Sequence, residues 1–244
     1  SRGLGDVYKR QQGYYTCARI WSERYATSNN HPDGEEAWEN WWRMDDEGRS
    51  PKHIYFMGKD NIPFHTIIWP ALIMGINASE KGKSITHEIT EGDLTLESNV
   101  SSNEYLMLQG GQFSKSRKHA VWLPSFLERY HADCLRYYLS INMPETHDTD
   151  FRWEEFVDRV NNELIGTYGN FVHRVMTLSH RLARGDGNPL SVYDEIGNHS
   201  EIISQCDDLV RSAMDSMERQ RFKEALRSLM SIAQIGNQLS LIHI

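Results

Sequence analysis

The chain has 244 residues, 39% of them apolar, and a formal net charge of −8, which is enough for one large core or two small ones without covalent staples. Cys17, Cys134 and Cys206 are dispersed with no C-x-x-C pair, which excludes a disulfide framework and a zinc knuckle. No apolar run approaches the roughly 18 residues of a spanning helix and no signal-peptide pattern opens the chain, so a protein of the reducing cytoplasm is expected, with no membrane partner.

The charge is segregated. Between Gln112 and Arg136 five Lys/Arg face two acids, and Asn170 to Arg184 holds three arginines and no acid, whereas acids cluster at 33–47 and 186–218. Local basic zones on an acidic chain suit docking to a folded RNA, and they equally describe a solvated helix face.

In chain order, Pro32, Asp33 and Gly34 form a turn, after which EEAWENWWR places Trp38, Trp41 and Trp42 at helical spacing as a core stripe. HIYFMG reads as a short buried strand ended by Gly58. Asn61 is placed to cap the next helix, Pro63 to occupy its first turn and Pro70 to kink or end it. Strand, glycine turn and helix in succession put ligands at the carboxyl end of a parallel sheet. Residues 78–103 are polar and aperiodic and read as a long surface insertion, and EYLMLQ is the next strand. Beyond it the pattern is helical through 123–131, then from the expected cap Asp133 through CLRYYLS. A long amphipathic helix over 150–182 aligns Phe156, Val160, Leu164, Tyr168, Val172, Val175 and Leu182 on one side. Gly185, Gly187 and Pro189 mark a linker before helices at 200–217, with Ile202, Cys206, Leu209 and Ala213 inward, and 221–238, with Phe222, Leu226, Leu229 and Ala233 inward. The expected class is α/β plus all-α.

Four constellations carry chemistry. In Gly110-Gly-Gln-Phe-Ser-Lys-Ser-Arg-Lys118, the string Ser114, Lys115, Ser116 behind a glycine turn brings an ammonium and two hydroxyls to a polyanion, although basic Ser/Lys loops are more often plain surface. Gly58 leaves backbone open to a ligand and Asp60 offers a carboxylate to ribose hydroxyls or an amine, or else caps the following helix. His65 and Trp69, four residues apart beside Phe64, build either an aromatic wall for a thioether, worth about 0.3–1.5 kcal/mol per sulfur contact, or an ordinary core. Asn170 and Arg174, one turn apart on the polar side of the long helix, suit the edges of splayed bases, or face solvent.

Taken in order, HIYFMGKDNIPFHTIIWP at 53–70, the Ser-Lys-Ser loop, and DCLRYYLSINMPETHDTDF at 133–151 resemble the second half of a class I aminoacyl-tRNA synthetase core, specifically a methionyl-tRNA synthetase of the archaeal-like type, over about residues 13–238. In that family the loop reads K-M-S-K-S or K-F-S-[TK]-S; here it is Gln112, Phe113, Ser114, Lys115, Ser116, with the first lysine replaced. The resemblance implies the second half of a Rossmann-like catalytic domain at 13–122, a connecting stem-contact region at 123–149 and an α-helical anticodon-binding bundle at 150–238. Residues 1–12 and 239–244 match nothing in the family pattern and are set apart as aberrant termini. It further implies a ligase joining methionine to tRNA-Met with ATP and Mg2+, with no zinc site in this chain and no DNA partner. Lys115 would be catalytic; Gly58, Asp60, Ser114, Lys115 and Ser116 would bind ATP; Tyr14, Phe64, His65 and Trp69 would line the methionine pocket; Asn170 and Arg174 would read the anticodon. The H-I-G-H motif of the family's first half is absent, so this chain is expected to be an inactive fragment. The alternatives are a noncatalytic tRNA-binding module and another class I synthetase, for leucine, isoleucine, valine or cysteine.

Overall fold

The computed structural model describes residues 4–26, 28–183 and 200–242, and the chain divides into two compact units, 1–103 and 104–244. In the first, helix α1 (Leu4–Trp21) takes in residues 4–12 of the segment set apart above and runs into a π turn, Ser22–Ala26. After a turn that puts Gly34 at φ 51°, the tryptophan segment makes only one helical turn, α2 (Glu39–Trp42). Trp38 and Trp42 enter the core as expected, but Trp41 stays half exposed.

Strand β1 (Ile54–Gly58) pairs in parallel with β2 (Asn99–Asn103), from Ile54 opposite Asn99 to Gly58 opposite Asn103. β1 is not the buried strand expected: only Met57 is covered, and Phe56 is exposed. From Gly58 the chain passes through a 3-10 turn (Lys59–Asn61) and a π turn (Phe64–Ile68) into α3 (Trp69–Lys81). The side chain of Asn61 caps nothing; its carbonyl instead meets His65 Nδ1 at 3.0 Å. Pro70 does not end the helical run: it directly follows the π turn, in the first turn of α3. Gly82 closes α3 at φ 60°, its N–H reaching the Ala78 and Ser79 carbonyls.

The surface insertion expected at 78–103 is also corrected. Its first residues complete α3, its last form β2, and between them Asp93, Leu94 and Thr95 are buried. The cause is a side chain that imitates a strand: buried Asn77 donates to the Leu94 carbonyl at 2.9 Å and accepts the Leu94 N–H at 2.8 Å, drawing a polar loop into the core. Trp38, Trp42, Trp69, Ile73 and Leu94 are the centre of that core. The helical run Lys59–Lys81 spans 23 residues, and within it an 18-residue window reaches a mean hydropathy of 1.2, long and apolar enough to cross a membrane by length and composition only, contrary to the expectation of no such run. His65, Trp69, Ile73 and Asn77 on this run are buried within the unit, although only 28% of that window is buried.

In the second unit β3 (Leu106–Leu108) pairs antiparallel with β4 (Gly111–Gln112) and parallel with β5 (Thr149–Phe151). Helix α4 (Leu123–Leu127) is shorter than expected. Helix α5 (Ala132–Ile141) is capped by His131, whose imidazole accepts from the Asp133 N–H at 3.4 Å, so Asp133 lies inside the first turn rather than at the cap. Leu108, Phe126, Leu135, Tyr138, Phe151, Phe156 and Val160 form the core.

The helix expected over 150–182 begins three residues later and changes gauge: α6 (Trp153–Arg159), a π stretch over Val160–Gly169, then α7 (Asn170–Ala183). The wider π turn rotates every later residue relative to a 3.6-residue pattern. Phe156 and Val160 are therefore buried, whereas Tyr168, Val172 and Val175, expected on the same inward face, are exposed. Leu182 and the linker at Gly185, Gly187 and Pro189 lie outside the residues whose side chains are described. α8 (Ser200–Glu218) and α9 (Phe222–Ile242) complete the unit, with Ala213, Ala225 and Ala233 buried.

Candidate functional site

In the first unit, Tyr14 from α1 and His65 and Trp69 from the run after β1 lie together, joined by Tyr55 of β1, which sequence reasoning missed. Strand alternation was the available signal, since it puts Tyr55 on the face of Met57. The His65 ring lies 5.6 Å from Tyr55 and 5.9 Å from Tyr14. Because the Asn61 carbonyl can only accept, neutral His65 carries its proton on Nδ1, which leaves Nε2 to accept from the Tyr14 hydroxyl at 3.2 Å. Trp69 Nε1 donates to the Tyr55 hydroxyl at 3.0 Å, and burial pushes the Tyr55 phenol up to about 12.

His65 and Trp69 are buried, Phe64 is half-buried, and Tyr14 is the exposed member at 44%. The wall is thus a closed aromatic cluster whose histidine already has two partners. Glu97 lies near it: burial raises its carboxyl above the usual range, opposed by a hydrogen bond from its own backbone N–H, and one of its oxygens is buried without a hydrogen-bond partner. Gly58 and Asp60 sit exposed at the carboxyl end of β1. A Cβ at Gly58 would meet no atom within 4 Å, so its backbone is open to approach.

In the second unit the Ser-Lys-Ser loop is a double hairpin. Gln109 and Gly110, both at positive φ (49° and 78°), make the tight turn between β3 and β4, the conformation whose twist matches paired strands. Ser114 and His119 then exchange backbone hydrogen bonds of 2.9 Å each way, closing a four-residue tip, and Lys118 N–H to the Lys115 carbonyl at 3.2 Å folds that tip into a β-turn. Lys115 and Ser116 are exposed, and the Ser114 and Ser116 hydroxyls stand 3.2 Å apart. Gln112, in the place of the family's first lysine, pairs with Met107 in the ladder. Two supports that the sequence analysis did not name complete the arrangement. His119 Nε2 donates to the Leu108 carbonyl at 2.7 Å, and the Asp150 carboxylate accepts the Gly110 N–H at 2.9 and 3.0 Å. No local spacing signals either, because each partner comes from another strand.

The two anticodon candidates are not a matched solvent-facing pair. Asn170 Nδ2 bonds back to the Gly166 carbonyl at 2.7 Å, on its own helix, while Arg174 is half-buried and donates to the Asn237 carbonyl of α9 at 3.1 Å. Asn237 in turn donates to the Thr167 carbonyl at 2.8 Å. Among the described residues no group of three or more His, Cys, Asp or Glu could hold a metal ion.

The family profile described as tRNA synthetases class I (M) matches residues 13–176. The chain is 38% identical over 227 residues to a methionine–tRNA ligase of Roseiflexus sp. (strain RS-1), covering 93% of this chain and 34% of that protein. It is 40% identical over 226 residues to that of Dehalococcoides mccartyi (strain ATCC BAA-2100), covering 93% and 36%. The chain thus spans about a third of the length of these curated relatives. Among solved structures, Mycobacterium tuberculosis methionyl-tRNA synthetase bound by methionyl-adenylate shares the fold at a TM-score of 0.57 and 20% identity, over 79% of this chain and 34% of that one. A profile match across most of the chain, with relatives of this closeness along nearly all of it, places the chain in the class I tRNA synthetase family, among the methionyl-tRNA synthetases.

Proposed function

We propose that the chain is part of a methionine–tRNA ligase, comprising the second half of its catalytic domain and an α-helical bundle that reads the anticodon. The whole enzyme activates methionine with ATP, taken as its Mg2+ complex, and transfers it to tRNA-Met in the cytoplasm. The observation that carries this reading is the hairpin tip: a rigidly closed turn that exposes Lys115 between two serine hydroxyls. A fixed cation suits a reaction whose difficulty is charge developing on departing pyrophosphate, because preorganised charge needs no rearrangement in the transition state. Ser114 and Ser116 supply further donors to phosphate oxygens, and Asp60 with the open backbone at Gly58 receives ribose or the amino group. The aromatic cluster around His65 and Trp69 receives the methionine thioether once Tyr14 moves off the His65 ring.

The H-I-G-H motif does not occur among the 244 residues, so the chain by itself does not form methionyl-adenylate. Methionine-dependent pyrophosphate exchange is the test. The purified chain should show none, and robust exchange would overturn the partial-enzyme reading. In the enzyme extended to its relatives' length, Lys115→Ala should slow adenylate formation on the order of 100-fold, as loss of one transition-state donor does, with methionine affinity nearly unchanged. A loss confined to methionine binding would contradict the role given to Lys115.

A further inference from the structure

The tip that carries Lys115 has few contacts of its own, yet it is held from two directions. Gly110 sits at the second central position of its turn, where the N–H points out of the hairpin and would ordinarily bond water. Here both oxygens of Asp150, on the neighbouring strand β5, take it. Asp150 is itself fixed: Arg152 Nε pairs with its carboxylate at 2.9 Å, and Asn142, at the C-terminal cap of α5, donates to its backbone carbonyl at 3.0 Å. On the other side, His119 closes the tip through its backbone bonds to Ser114 and reaches back with its ring to the Leu108 carbonyl. Gly111 makes room for that ring, since a Cβ there would stand 3.1 Å from His119 Nε2. The loop is therefore tied to β5 at its base and to β3 at its neck, both outside the Ser-Lys-Ser string.

We infer that Asp150 and His119 are positioning residues for Lys115, holding the phosphate-binding tip in the conformation that presents its ammonium and the two serine hydroxyls together. This rests on the proposed reading of the loop as a phosphate site. A tip free to sample many conformers would lose ordering entropy on meeting a polyanion; a braced one has already lost it in folding.

The test uses the 244-residue chain with inorganic tripolyphosphate as probe, titrated by calorimetry, together with amide hydrogen exchange. Lys115→Ala should weaken binding by about tenfold or more, the loss of one charge-assisted contact. Asp150→Ala and His119→Ala should each weaken it about fivefold to tenfold although neither touches the anion, whereas Asp150→Asn, which keeps an acceptor for Gly110, should stay within about twofold. Exchange should quicken at residues 110–119 in both alanine variants and stay unchanged in α5, a pattern that general destabilisation would not produce. If Asp150→Ala fails to fold, His119→Ala decides, since it removes only the bond to Leu108. Tripolyphosphate affinity lost in Lys115→Ala but retained in both brace variants would overturn the inference and leave the loop reading standing. Affinity unchanged in Lys115→Ala would remove the phosphate reading, and the inference with it.

Discussion

The aromatic cluster of the first unit and the hairpin tip of the second treat their family-matched residues in opposite ways. His65 and Trp69 are at once candidate ligand contacts and core: their rings are buried and their polar atoms are bonded to Asn61, Tyr14 and Tyr55. Lys115 and Ser116 are exposed, and the cost of shaping them is met by residues elsewhere, His119 and Asp150. A pocket for an apolar side chain must be built from the same groups that stabilise the fold, because both tasks need dry aromatic surface. A phosphate site needs donors in water, so structure and chemistry are carried by different residues. Stability and function should accordingly be inseparable in the first region and separable in the second.

Substitutions test that contrast. Trp69→Ala should cost about 3–5 kcal/mol as a cavity opens in the tryptophan core, whereas Lys115→Ala should change stability by no more than about 0.5 kcal/mol. Urea unfolding of the two variants would break the comparison if their midpoints shifted alike. The helical part of the second unit should behave like the first region where α7 meets α9. A Cβ at Gly236 would stand 2.2 Å from the Phe171 ring, so Gly236→Ala should cost about 1–3 kcal/mol by overpacking. Adding Phe171→Leu should recover part of that cost, and strict additivity in the double-mutant cycle would show that the two do not meet.

Arg174 combines both roles. Its bond to the Asn237 carbonyl makes Arg174→Ala worth roughly 1 kcal/mol in stability. In the extended enzyme the same change should lower the preference for a CAU anticodon by about 1–3 kcal/mol if the guanidinium also reaches a base. Equal losses with cognate and anticodon-mutant tRNA would assign Arg174 to helix packing alone. The smallest effect concerns Glu97. Burial raises its carboxyl in the folded chain, so its contribution is fully favourable below the unfolded value, about 4.3, and is lost as pH rises through the folded one. Glu97→Gln should melt higher than the unmodified chain at pH 7.5, with the gap closing near pH 4, and a gap independent of pH would mean that ionisation of Glu97 is not its cause.

Much of the fold was legible because it is local. The strands at 54–58 and 106–108 and the helices at 200–218 and 222–242 follow from periodicity and turn residues. Where reading failed, a distant partner or a change of helical gauge intervened. Asn77 buries Leu94 from 17 residues away, which no window of hydropathy registers. The π stretch at 160–169 broke the assumption of 3.6 residues per turn, so Tyr168, Val172 and Val175 face outward and Arg174 meets α9.

The amino-acid sequence by itself determined the family and the residues that can carry its chemistry, because the identity and spacing of Gly58, Asp60, His65, Trp69 and the Ser114-Lys115-Ser116 string are covalent facts. Tertiary structure alone decided which of those groups are engaged and which stand open. Whether His65 Nε2 meets Tyr14 or a ligand, whether Arg174 faces solvent or α9, and what holds Lys115 in place all depend on contacts spanning 11 to 63 residues. Such contacts exist only when packing brings remote segments together, and no single segment encodes them.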